Sequence, residues 1–69
     1  MGYDLSGIAA LTDNSAGTAN STVEAMADIA GADAAAIVTA VNSTLLPSIR
    51  NNVADLAAKV NAILAALKA

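Results

Sequence analysis

The chain has 69 residues, no cysteine, no histidine, one aromatic residue (Tyr3) and a formal charge of −3. That excludes a disulfide framework and the usual zinc ligand sets, and it limits the chain to one small domain. Arg50, Lys59 and Lys68 are its only basic residues and form no patch, which argues against a nucleic-acid partner. Although 57% of the residues are hydrophobic, much of that is alanine, which buries little area. A single core in a chain this short rarely supplies more than about 3–5 kcal/mol, so association with other chains is the expected remedy.

The start, MGYDLSGIAAL, lacks the basic region of a signal peptide. Its MGYDLS matches a short myristoylation pattern that is too common to carry weight. DLSGIAAL offers Asp4 as a cap and Leu5, Ile8 and Leu11 as an apolar side, either as a helical turn or as an extended arm that docks on a neighbour, with Tyr3 as an anchor or simply a partly exposed side chain. TDNSAGTANST, residues 12–22, is small and polar and reads as a loop. Residues 1–21 are therefore expected to form an N-terminal arm and polar loop, and 22–69 a helical oligomerisation region.

Ser21 and Glu24 have the spacing of a capping box, and Val23, Met26, Ala30, Ile37, Val41 and Leu45 make a narrow stripe at helical spacing. A helix is expected over 22–45. Gly31 and Asp33 divide it if the glycine closes one helix and the aspartate caps the next; otherwise one helix tolerates the glycine at a cost of about 1 kcal/mol. Pro47 marks a boundary, either between two helices with the proline in the first turn of the second, or as a kink in one. The region IAGADAAAIVTAVNSTLL is broken by Asp33, Asn42 and several hydroxyls and has no apolar run long enough to span a membrane.

Residues 48–68 form the clearest helix. Leu46, Val53, Val60 and Leu67 fall at position a of a heptad, and Ile49, Leu56 and Ile63 at position d. This is the seam of a coiled coil. Val at a with Leu at d favours a dimer, and Leu at a with Ile at d favours trimers or tetramers; both pairings occur. The flanking e and g positions, Arg50, Asn52, Ala57, Lys59, Leu64 and Ala66, are mostly uncharged. So wide a stripe suits a trimer, or a helix covered by its own chain's first helix as an intramolecular hairpin. The expected fold is all-α: a short N-terminal arm, two helices separated near Pro47 and a C-terminal coiled coil that trimerises.

Chemistry is poorly supported. Glu24 and Asp28 would share a helix face, but near a helix start a solvated acidic pair suits the dipole without any catalytic role. No base or nucleophile of the histidine or cysteine type exists, and no glycine-rich loop resembles a phosphate cradle. The Asn20 and Asn42 sequons fit chance in a chain rich in Asn, Ser and Thr, and Met26 reads as a gap-filling core residue. A non-enzymatic protein without a cofactor is expected.

Two stretches carry a resemblance. LTDNSAGTANSTVEAM, residues 11–26, resembles a polar segment of many small structural proteins of tailed bacteriophages, and IRNNVADLAAKVNAILAAL resembles the coiled coil that follows it there. GADAAAIVTAVNSTLLPS is an additional block between the two, and Ala16 stands where a second glycine often occurs. The resemblance implies a head-fibre, decoration or tail-fibre-like component of a virion, usually a homotrimer, with itself and the phage capsid as partners. Two other readings fit a small Ala-rich helical chain: a self-assembling filament subunit, such as a secretion needle or pilus, and a dimeric coiled-coil adaptor.

Overall fold

The computed structural model describes residues 4–69; the expectations for Gly2 and Tyr3 lie outside the described residues. Residues 4–33 have no regular secondary structure and residues 34–68 form one long helix. Its parts are α1 (Ala34–Ala40), a π-helical segment (Val41–Leu45) and α2 (Leu46–Lys68). Among the described residues there is no strand. The rod measures 58 × 18 × 17 Å, and its length is mostly that of the helix at about 1.5 Å per residue.

The helix starts where its chemistry allows. Asp33 is extended (φ −151°, ψ 176°), and its carboxylate accepts from the Ala36 N–H at 2.8 Å. Three alanines then fill the first turn. Asp33 is therefore the cap of a new helix. Of the helix expected over 22–45, the part over 22–33 does not form. Ser21 has φ 60°, a left-handed conformation unsuited to an N-cap, and its N–H donates to Asp55 rather than starting a capping box. Glu24, the other half of that box, is bound at its N–H and carbonyl by Asn52. Long-range side-chain partners thus take the backbone groups that a helix would use.

At Pro47 the helix continues, so two separated helices are replaced by one. Proline lacks a donor and its ring collides with the carbonyl four residues back. The preceding π turn changes the register: the Leu46 N–H donates to Val41 O, five residues back, and the wider turn makes room ahead of the ring. Ser43 and Ser48 hydroxyls donate to the carbonyls of Thr39 (2.6 Å) and Thr44 (3.2 Å), using acceptors around the perturbed turn.

Very little of the chain is buried. Ala54 and Ala57 are the buried apolar residues among those described, and no large side chain is fully enclosed. Among the described residues no second helix packs on α2, so the intramolecular helical hairpin does not form. What covers α2 is extended chain.

Candidate self-association surface

The leading segment is fastened to α2 by polar side chains. Asn61 accepts from the Leu11 N–H at 2.8 Å and donates to the Leu11 carbonyl at 3.0 Å. Asn52 does the same for Glu24, at 2.7 and 3.0 Å. Each amide side chain pairs both backbone groups of one residue, as a neighbouring strand would. Asn51 accepts from the Thr18 N–H (2.8 Å) and donates to the Glu24 carboxylate (2.7 Å). One oxygen of Asp55 accepts from the N–H groups of Asn20 (2.6 Å) and Ser21 (2.7 Å). Near the end of the helix, the Lys68 ammonium donates to the Ile8 carbonyl.

The segment's path follows from these anchors. It descends α2 from Lys68 past Asn61 to Arg50, where Gly17 lies against the helix backbone; a Cβ there would sit 2.0 Å from the Arg50 carbonyl oxygen. Only glycine permits that approach. The chain then turns through Asn20 and Ser21 at Asp55, passes Glu24 at Asn52, and crosses the start of the helix at Gly31. Short turns shape it. Asp4 accepts from the Ser6 hydroxyl (2.6 Å) and N–H (2.9 Å), and Asp13 and Asn20 accept from the N–H groups of Ser15 and Thr22. The Ser6 hydroxyl and then its N–H hold the Asp4 carboxyl below its ordinary value, and the Ser15 hydroxyl and N–H do so for Asp13.

In heptad terms these anchors occupy one side of the helix. Asn61 is at b, Asn51 at f, Asp55 at c and Asn52 at g, so the segment covers the back and both flanks of α2. The a/d row is left open. Val53, Leu56, Val60, Ile63 and Leu67 are exposed, Leu56 at 61%, while Leu46 and Ile49 nearer the π turn are half-buried. The helix aligns all seven seam residues, and among the described residues no second helix lies over them.

Two shallow grooves border that row. Leu11 to Ser15 run beside Val53, Leu56, Ala57 and Val60 on the e side. Ser21, Thr22 and Val23 run beside Asp55, Leu56, Lys59 and Ala62 on the g side. Leu56 is common to both. Of the flanking residues, Ala57 and Asn52 are buried beneath the chain's own leading segment.

The anchors Asn51, Asn52, Asp55 and Asn61 are absent from a reading based on apolar spacing. Their signal is compositional: three asparagines and an aspartate, poor helix formers, inside a long helix. The acidic residues do not assemble into a site. Glu24 is held by Asn51, Asp33 caps the helix, and residues 22–33 supply no helix face for Glu24 and Asp28 to share. Among the described residues no cluster of side chains suits a metal ion, and no helix is long and apolar enough to cross a membrane. Comparison with family models, curated proteins and solved structures found no match.

Proposed function

We propose that this chain is a non-enzymatic structural protein that acts as a homotrimer through its a/d seam, as a decoration or head-fibre-like component of a tailed-phage virion. The observation that carries the self-association is the pairing of a seam exposed at five of its seven residues with a nearly absent core. Ala54, at 3% exposure, and Ala57 are too small to stabilise a long helix, whereas burying a Leu, Ile or Val side chain contributes about 1.5–3 kcal/mol. Stability has to come from covering the seam.

The total area supports the same conclusion. The chain exposes 5065 Å². A compact monomer of 6.7 kDa would expose roughly 3,900 Å². The excess, on the order of 1,100 Å² per chain, exceeds the ~800 Å² that each partner buries in a standard interface. The trimer rests on Leu46 at a with Ile49 at d and on the uncharged flank at Leu64 and Ala66, since Ala57 and Asn52 are covered by the leading segment. The virion rests on the resemblance of residues 11–26 and 49–67 to phage structural segments. Three identical surfaces on one rod would bind a capsid jointly and suit its three-fold positions.

The test is co-sedimentation of the purified protein with capsids of its phage. Saturable binding at a copy number fixed by capsid symmetry is expected. An assembled protein that stays in the supernatant while the capsids pellet would contradict the virion role.

A further inference from the structure

The two borders of the seam differ, and the difference bears on how copies meet. On the e side the seam is bordered by Leu11, 55% exposed; on the g side it is bordered by Val23, 71% exposed. Both come from the leading segment, and their grooves share Leu56. In a parallel coiled coil, the g flank of one helix faces the e flank of the next; in an antiparallel one, like flanks meet.

Resting on the trimeric reading above, we infer that the leading segment belongs to the subunit interface, with the Leu11 border of one copy packed against the Val23 border of the next around a closed three-fold ring. A symmetric trimer is cyclic, so its three helices run parallel and each contact is head-to-tail. That arrangement brings together the two exposed apolar borders that lie on opposite flanks within one chain. It also extends the interface beyond the a/d row. The segment then has a second role besides covering the back of α2: it determines which flank each neighbour meets. The partner is a second and third copy of this chain.

Native cysteine is absent, so crosslinking starts from a blank background. Leu11→Cys and Val23→Cys chains of distinguishable mass would be refolded separately and as an equal mixture, and treated with a short bismaleimide. The native mass of each sample is recorded first. Both positions are exposed, and each variant is expected to keep the wild-type mass. Covalent dimers joining one Leu11→Cys chain to one Val23→Cys chain are expected in the mixture, with none in either single preparation. The double variant should close into a covalent trimer. Dimers within the single preparations would mean that like flanks meet, overturning the inference. A trimeric mass with no crosslink in any sample would also overturn it while leaving the trimer standing. A wild-type mass other than a trimer would remove the reading on which it rests.

Discussion

The two faces of α2 hold their neighbours by opposite means. One face binds the chain's own leading segment through Asn51, Asn52, Asp55 and Asn61, each matched to particular backbone groups. The other presents Val53, Leu56, Val60, Ile63 and Leu67 exposed at heptad spacing, with no second helix over them among the described residues. Hydrogen bonds are directional and contribute only about 1 kcal/mol net each, so the polar face fixes a path without supplying much stability. Apolar burial is stronger and less directional, so a partner that covered the seam would supply stability, with its identity left to shape and spacing. On the proposed assembly, one helix separates specifying a conformation from stabilising it.

Substitutions on the two faces should therefore fail differently. The largest effect is expected at the seam. Leu56→Asp would put an unpaired charge into the row that the proposed assembly buries, and should abolish association and most helicity together. Native mass with circular dichroism checks this; a variant with wild-type mass and helicity would mean that Leu56 faces solvent in the working form.

Next is Gly17→Ala. The added methyl meets the Arg50 carbonyl, so the segment has to lift from the helix, at a cost of about 1–3 kcal/mol. A lower urea midpoint with the assembled mass unchanged is the expected result. An unchanged midpoint would show that the segment does not lie against Arg50.

Asn52→Ala removes both hydrogen bonds to the Glu24 backbone, made by a buried side chain, and should cost about 1–2 kcal/mol. Asn61→Ala removes the equivalent pair at Leu11, where the bonds are exposed and water can replace them, so less than about 1 kcal/mol is expected. Urea titration of the two variants side by side measures the difference. Equal losses would show that burial does not separate the two anchors.

The smallest effect is expected from acid. Asp4 and Asp13 have lowered carboxyl pKa values because Ser6 and Ser15 donate to their ionised forms. Their turns are stabilised at and above the ordinary carboxylate range, and the stabilisation is lost as pH falls through the lowered values. Both groups are exposed, so the change is local. The amide resonances of Ser6 and Ser15 should move with this titration while those of α2 stay fixed.

How much of this was legible follows from the range of each signal. The 46–67 seam repeats every few residues, and the helix over 48–68 followed directly from it. Asp33 as a cap was also visible, because its partner Ala36 is only three residues away. The region 22–33 was misread as helix because Val23, Met26 and Ala30 have helical spacing. What overrides that spacing is Asn52, 28 residues from Glu24 in sequence. At Pro47 the proline suggested a break, and a single π turn just before it was enough to continue the helix. The polar anchors were missed for a related reason: an asparagine in a helix shows that something is unusual, but its partner appears only once the chain has folded back.

The most direct test of the central claim is the solution mass of the purified chain by native mass spectrometry over a hundredfold range of concentration. A discrete trimer, holding to low concentration and retaining its helicity, is the predicted result. Open-ended assembly would place the chain among filament subunits. A stably folded monomer would contradict the account, because it would mean that so exposed a seam requires no cover.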